Sequence, residues 1–286
     1  YRAEFQSFAP NVVVDMIAMT ENDARVLVET LRGIARRAVV ISSMDVYRAY
    51  DVLRGVEPEP LEPTPLAEDA RLRQKIYPYR GETLRSAADP QKWVDDYDKI
   101  LVEQTATSES ALPTTVLRLP MVYGEGDNQH RLFEYLKRMD DGRSAIILDE
   151  TTAQWQTARG YVENVATAIA RAVESEHAAG KIYNVADEDI FSEKQWIERI
   201  GRAAGWNGQI IVLPSNQLPD ALRFQGNPRQ SLAADTARIR RELGYREQIS
   251  TDEALRRTIA WERANPPPFD PAQFDYALED EVFAAT

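Results

Sequence analysis

The stretch AVVISSMDVY, residues 38–47, decides the fold class. Its first four residues are apolar, three of them are β-branched, and such a run predicts a strand buried on both faces. Similar short runs lie on either side of it in the chain, at residues 12–14 and 114–119, and an amphipathic helical pattern over residues 24–34 separates the first two. Strands that alternate with helices in this way predict an α/β protein with a parallel sheet covered on both faces.

The rest of the chain continues the alternation. Asp89-Pro90 offers an N-cap and a first-turn proline, which predict a helix running to about Glu109. The proline-rich stretch over residues 57–65 predicts a surface loop. We expect a strand at 181–185, helices at 164–174, 192–204, 235–243 and 250–261, and a loosely packed acidic tail at 266–286.

Parallel sheets bind ligands beyond the carboxyl ends of their strands. Residues 15–18, 42–45 and 120–123 each follow one of the first three predicted strands. We therefore expect these three segments to converge on one crevice.

Composition and charge narrow the class of protein. The 286 residues contain no Cys and only two His, which excludes disulfides, thiolate catalysis and cysteine metal sites and disfavours a histidine-rich metal site. The net charge of −12 makes nucleic acid an unlikely partner. No apolar run reaches about 18 residues, so no membrane span is expected, and without a signal-peptide pattern at the start we expect a cytoplasmic protein.

Five segments, in this order, resemble the extended short-chain dehydrogenase/reductases, the group of NAD-dependent epimerases and dehydratases. Residues 41–47 (ISSMDVY) look like the family's Ser-Ser-x-x-Val-Tyr motif, and residues 117–127 (LRLPMVYGEGD) are similar to its Leu-Arg-x-x-x-Val-Tyr-Gly-x-Gly segment. The other three segments are residues 159–166 (RGYVENVA), 180–185 (GKIYNV) and 241–245 (RELGY). Together they cover nearly the whole chain.

The resemblance implies a Rossmann-like, doubly wound parallel sheet with a smaller C-terminal substrate lobe. The cofactor-binding core is expected at residues 1–123 and 159–187, the substrate lobe at 124–158 and 188–265, and the tail at 266–286. The family's opening Gly-x-x-Gly-x-x-Gly turn, which holds the cofactor pyrophosphate, has no counterpart here. We expect about 55 to 65 residues of the usual fold to precede Tyr1, a span of two βα units.

Four residues are candidates for catalysis by this resemblance. Ser43 lies where the family keeps a catalytic Ser or Thr, and Lys99 where it keeps the Lys of Tyr-x-x-x-Lys, but the position of the family's Tyr holds Asp95. Asp45 resembles an acid of the sugar dehydratases, although Met44 precedes it and a solvated turn aspartate is the favoured alternative. For Asp95, Lys99 and Glu103 the alternative is a surface ladder of i, i+4 ion pairs.

Three tyrosines near Lys99 do not occupy the family's position. Tyr97 falls in a stripe with Trp93, Ile100 and Leu101 that predicts helix packing and permits a homodimer. Tyr77 and Tyr79 lie in the insertion before this helix and could fold back towards the crevice.

The remaining candidates would bind ligands. Ala18, Ser42, Lys99, Pro120 and Val122 are the expected contacts of NAD or NADP. His130, Arg131, Arg159, Arg223 and Arg229 are the expected contacts of the substrate, because a guanidinium pairs well with phosphate.

The resemblance implies NAD(P)-dependent redox chemistry, such as epimerisation, on a sugar nucleotide or similar polar metabolite. The alternative is a sensor or scaffold that kept the cofactor fold and lost turnover; an RNA-associated variant of it is disfavoured by the acidic charge.

Overall fold

The computed structural model describes residues 2–285 and is built on a four-stranded parallel sheet in the order β1-β2-β3-β7. Two parallel strand pairs, β4-β6 and β5-β8, lie outside this sheet. The strands are β1 Val12–Asp15, β2 Arg37–Ser43, β3 Thr114–Leu119, β4 Met121–Tyr123, β5 Ala145–Asp149, β6 Arg159–Tyr161, β7 Ile182–Asn184 and β8 Gln209–Leu213.

Eleven α-helices connect the strands within the described residues. They are α1 Arg2–Phe8, α2 Glu21–Leu31, α3 Arg48–Leu53, α4 Lys99–Thr107, α5 Phe133–Asp140, α6 Glu150–Gln154, α7 Val162–Glu174, α8 Glu193–Ala204, α9 Ala237–Leu243, α10 Thr251–Ala264 and α11 Ala277–Ala284.

The central strand β2 shows why the sheet forms. Val40 packs with residues of α2 and α4 on one face, whereas Val39 and Ile41 pack with residues of α7 and α9 on the other. Successive side chains of a strand point to opposite faces, so an uninterrupted apolar run is what two helical layers require. Each fully buried side chain of this kind contributes about 1.5–3 kcal/mol.

The register of the sheet brings the strand ends together. Ser43 at the end of β2 is paired with Leu119 at the end of β3, and Asp15 at the end of β1 is paired with Val40. The segments after β1, β2 and β3 therefore meet at one edge, as the sequence predicts. The α/β class and the parallel sheet are confirmed.

A second hydrophobic cluster lies in the C-terminal part of the chain. It joins residues of α5, α8 and α10 to the two short strand pairs, with Tyr123, Leu136, Trp196, Ile200 and Leu255 among its buried members. Its residues come from widely separated segments, which explains why no single stretch of sequence predicts it.

One prediction about the elements is wrong. The helix expected from Asp89 to about Glu109 is broken into a 3-10 helix, Lys92–Asp96, and α4, which begins only at Lys99. The tail contains α11, whose Glu279 is buried against Arg138 of α5, while most of residues 266–285 are exposed.

Among residues 2–285, no helix is both long enough and apolar enough to cross a membrane.

Candidate active site at the strand ends

Ser43 and Asp45 lie where β2 ends. The backbone turns there into a 3-10 helix, Met44–Val46, whose N-cap is Ser43. The Ser43 hydroxyl accepts a hydrogen bond from the backbone N–H of Asp45, 3.2 Å away. This cap fixes the direction in which the Asp45 side chain leaves the strand end.

The Asp45 carboxylate is buried, with 5% of the residue exposed. Its Oδ2 atom accepts hydrogen bonds from the hydroxyls of Tyr97, at 2.8 Å, and Tyr79, at 3.1 Å. Its Oδ1 atom is buried and has no hydrogen-bond partner among the described residues. The interpretation of Asp45 as a solvated turn aspartate is therefore wrong.

Lys99 connects α4 to the ends of two strands. Its Nζ atom donates to the backbone oxygen of Ala18 at 2.6 Å and to that of Ile41 at 3.0 Å. An ammonium group has three N–H donors, and the third has no partner among the described residues. Burial lowers the pKa of Lys99, while the nearby carboxylate of Asp45 acts in the opposite direction.

Tyr97 reaches Asp45 because it lies outside the helix. Its backbone is extended, with φ −61° and ψ 124°, and Asp98 is the N-cap of α4, accepting from the N–H groups of Ile100 and Leu101. The prediction that Tyr97 lies in a helical packing stripe is wrong for this reason. Burial, and then the charge of Asp45, raise the pKa of the Tyr97 phenol, whereas the neighbouring Ser43 hydroxyl lowers it.

Asp95 does not share a helical face with Lys99. Its carboxylate is buried and accepts from the side chain and the backbone N–H of Arg85 and from Lys92 at 3.0 Å. Although desolvation opposes it, these hydrogen bonds lower the pKa of Asp95 to about 2. The Asp95 carboxylate is therefore engaged by Arg85 and Lys92 and not by Lys99, and a catalytic role for it stays a prediction.

The surface ladder expected for Asp95, Lys99 and Glu103 is also wrong. Glu103 is buried beneath the sheet edge, where Arg118 of β3 donates to both of its carboxylate oxygens at 3.0 and 2.7 Å. The Ser42 hydroxyl donates to the same carboxylate. The Ser42 hydroxyl is thus part of a buried network, and its contact with a cofactor stays a prediction.

The other expected cofactor contacts lie at the edge of the crevice. Pro120 follows β3, packs beside Gly160 and leads into β4, which contains Val122. Ala18 contributes the backbone oxygen that holds Lys99, and the preceding Met16 and Ile17 are 60% and 82% exposed. These apolar side chains lie just beyond the end of β1.

The expected substrate residues already have acidic partners. Two of them also contact the segment after β3, because Arg131 donates to the backbone oxygen of Val122 at 2.6 Å and Arg159 is paired with Met121. His130 contacts Glu262 at 2.7 Å and stacks on Trp261. Arg131 pairs with Asp127, Arg159 with Glu193, Arg223 with Asp220 and Arg229 with Glu59. The structure therefore does not gather the five into one cationic patch.

One of them, Arg223, lies in a cleft of about 330 Å³. Its Nε atom is buried without a hydrogen-bond partner among the described residues. The cleft is also lined by Tyr135, Asp149, Trp155 and Glu193. A smaller adjoining cavity is lined by Arg131 and Arg159 together with the same Tyr135 and Glu193.

The strand-end residues fit the nicotinamide half of a dinucleotide cofactor. Lys99 has an unused donor for a ribose hydroxyl, Ile17 and Met16 offer apolar surface, and Asp45 and Ser43 place polar atoms on the same side of the sheet. A site of this kind needs a cation, an apolar wall and a few convergent polar groups.

Sequence reasoning did not assign Tyr97 to this site, and it left Tyr79 only as a residue that could fold back towards the crevice. The one local signal for Tyr97 is the dipeptide Asp98-Lys99, since Asp is a strong N-cap and would place Tyr97 outside the helix. For Tyr79 there is no such signal, because its insertion has no periodic pattern.

The strand order and the crevice define an α/β protein of the Rossmann type. Residues 74–186 match the model of the NAD dependent epimerase/dehydratase family.

Comparisons with individual proteins agree on the fold. The chain is similar to UDP-glucose 4-epimerase with UDP-glucose from Thermotoga maritima (16% identity, 93% of this chain and 82% of that chain, TM-score 0.61). It is also similar to a variant of UDP-glucuronic acid 4-epimerase from Bacillus cereus in complex with a fluorinated UDP-glucuronic acid and NAD (16% identity, 91% and 78%, TM-score 0.59).

A relative in sequence is the uncharacterized protein y4nL of Sinorhizobium fredii (strain NBRC 101917 / NGR234). It is 26% identical over 189 residues, which are 57% of this chain and 52% of that protein. The chain therefore spans about half the length of this curated relative.

Proposed function

We propose that the chain is part of an NAD(P)-dependent oxidoreductase of the epimerase/dehydratase kind that acts on a sugar nucleotide or a similar polar metabolite. The observation that carries this proposal is the position of Lys99. Its buried ammonium lies between the ends of β1 and β2, next to the segment that contains Ser43 and Asp45.

The cofactor would supply a hydride acceptor and donor at the strand ends. Lys99 would bind its ribose and add positive charge beside the reacting oxygen, which favours the deprotonated form of that oxygen. Ser43 would hold the same oxygen by a hydrogen bond. The family model and the neighbour bound to NAD support a nicotinamide cofactor, and they leave the choice between NAD and NADP open.

The substrate would occupy the cleft that contains Arg223. The buried, unpartnered Nε of this residue is a donor that an anionic group could satisfy, and a planar guanidinium suits phosphate. Trp155 and Tyr135 add flat apolar surface to the same cleft. The two epimerase neighbours that are bound to UDP-sugars support this substrate class.

The first test is cofactor binding. Titration of the full chain with NADH and with NADPH, followed by nicotinamide fluorescence, should show saturable binding of at least one of them. Lys99→Met should weaken that binding by about tenfold or more, since a charge-assisted hydrogen bond is worth roughly 1.5–3 kcal/mol. Lys194→Met, which removes a partly exposed lysine of α8 paired with Glu198, is the matched control and should leave it unchanged.

The second test is turnover of UDP-glucose and UDP-glucuronic acid with the bound cofactor. Binding of neither NADH nor NADPH would contradict the proposal. Binding without turnover of a broad sugar-nucleotide panel is instead the result expected of a sensor or scaffold.

A further inference from the structure

Two tyrosines and one carboxylate form a cluster at the crevice. The Tyr97 and Tyr79 rings are tilted against each other with centroids 5.2 Å apart, and both hydroxyls donate to Oδ2 of Asp45. The cluster reaches the surface, because Tyr97 is only partly buried and Tyr79 is 39% exposed. A ligand at the strand ends can therefore approach the phenol groups.

The cluster contains an unsatisfied acceptor. Oδ1 of Asp45 is buried without a partner among the described residues, although the residue is 5% exposed. A buried carboxylate oxygen without a donor costs about 1–3 kcal/mol or more. This oxygen is therefore an acceptor still available within the cluster.

The family's usual tyrosine position is not available for proton exchange. Asp95 has its carboxylate committed to Arg85 and Lys92, and the break in the helix at Tyr97 and Asp98 turns it away from Lys99. The same break turns Tyr97 towards Asp45. The break in the helix therefore removes Asp95 as a candidate for proton exchange and makes Tyr97 a candidate instead.

We infer that Tyr97 is the catalytic acid/base of this site and that Asp45 is the group that exchanges its proton. The inference rests on the proposed function and adds a residue to it. Lys99, two residues along the chain, provides the positive charge that assists loss of the substrate's proton.

The proton path balances for oxidation of a secondary alcohol. The substrate's C–H and O–H bonds break and a C=O bond forms. The hydride, with its electron pair, leaves to an oxidised nicotinamide dinucleotide. The hydroxyl proton passes to the Tyr97 oxygen while the proton of Tyr97 passes to Asp45. Reduction reverses each transfer, so an epimerisation would return both the hydride and the proton.

Tyr79 has a positioning part in this arrangement. Its hydroxyl donates to Asp45 and accepts from Arg54 at 2.9 Å, and the Arg54 guanidinium lies over its ring. These contacts hold Oδ2 of the Asp45 carboxylate, the same oxygen to which Tyr97 donates. Tyr79 can hold Asp45 without itself meeting the substrate.

The test compares single-atom variants of the full chain with UDP-glucose and UDP-glucuronic acid as substrates. Tyr97→Phe and Asp45→Asn should each lower kcat by about 10²–10⁴-fold, the usual size of a general acid/base contribution. Affinity for NADH or NADPH should stay within about threefold in both variants, since neither side chain carries the cofactor's charge. Tyr77→Phe is the matched control, because the Tyr77 ring stacks on Arg80, and it should keep its turnover.

A second measurement tests the contact without cofactor or substrate. In protein labelled with ¹³Cζ-tyrosine, the NMR signal that is lost in Tyr97→Phe should shift in Asp45→Asn. That signal should stay in place in Asp96→Asn, which alters an exposed carboxylate paired with Arg80. A Tyr97 hydroxyl without a hydrogen bond to Asp45 would show no such shift.

The outcomes separate the two proposals. No turnover of either sugar nucleotide by the unaltered chain counts against the proposed function and this inference together. Turnover that persists in Tyr97→Phe, or an unmoved NMR signal in Asp45→Asn, overturns this inference alone.

Discussion

The surroundings of two carboxylates in this chain shift their pKa values in opposite directions. Asp95 receives donors from Arg85 and Lys92, which lower its pKa to about 2 against the effect of desolvation. For Asp187, just beyond β7, burial raises the pKa to about 6, although Asn164 and the backbone N–H of Tyr161 donate to it. Hydrogen bonding to the charged form wins in the first case and desolvation wins in the second.

The shift at Asp187 predicts a pH dependence of stability. Because the folded state holds this proton more tightly, it binds more protons than the unfolded chain between about pH 4 and pH 6, and stability falls as pH rises through this window. In urea unfolding, Asp187→Asn should therefore gain up to about 3 kcal/mol relative to the unaltered chain across the same window. Asp189→Asn, an exposed neighbour, should show no such trend, and parallel curves for Asp187→Asn would refute the prediction.

The break between the 3-10 helix Lys92–Asp96 and α4 is the element that shapes the site. Asp98 holds the chain in place at this break. Its carboxylate caps α4 and accepts from the backbone N–H of Tyr77 at 2.7 Å. It also pairs with Arg73 at 2.8 and 3.1 Å. Both side chains of this ion pair are fully buried. Tyr97 and Lys99, on either side of Asp98, take their directions from this one anchor.

Loss of that anchor has a predictable cost. Asp98→Ala leaves the Arg73 charge buried and unpaired, and should lower the free energy of unfolding by about 3–5 kcal/mol. Asp96→Ala removes the exposed partner of Arg80 and should cost less than about 1 kcal/mol. Urea unfolding of the two variants side by side measures both values, and equal losses would show that Asp98 is not the anchor.

At the scale of the whole molecule, the tail is joined to the C-terminal part of the fold. Glu279 of α11 accepts from Arg138 at 2.9 Å and lies 4.0 Å from Arg143. Phe274 and Phe269 pack against Phe133, the first residue of α5. The same Arg138 and Glu279 line the cleft that contains Arg223, so the position of the tail affects the proposed substrate site.

This contact predicts that Glu279 holds the tail. Glu279→Gln exchanges a charge-assisted hydrogen bond for a neutral one, and should destabilise the tail's contact by about 1–2 kcal/mol. Limited proteolysis should then cut the segment 266–285 faster. Glu281→Gln, which alters an exposed residue of the same helix, should be cut at the original rate; a matching increase there would point to helix fraying instead.

The sequence by itself determined the sheet and the position of the crevice. Runs such as residues 38–41 indicate burial by their local pattern, and parallel strands must end at one edge, so residues 15–18, 42–45 and 120–123 could be placed on one side of the fold. Lys99 was placed there by the family resemblance alone. Only the tertiary structure decided which side chains face that crevice. Asp45, Tyr79 and Tyr97 come into contact because of the path of a loop that has no periodic pattern. The Asp95 carboxylate is bound by Arg85 and does not face Lys99. Such contacts depend on the path of the chain between elements, which is set by long-range packing and buried ion pairs and leaves no repeat in the sequence.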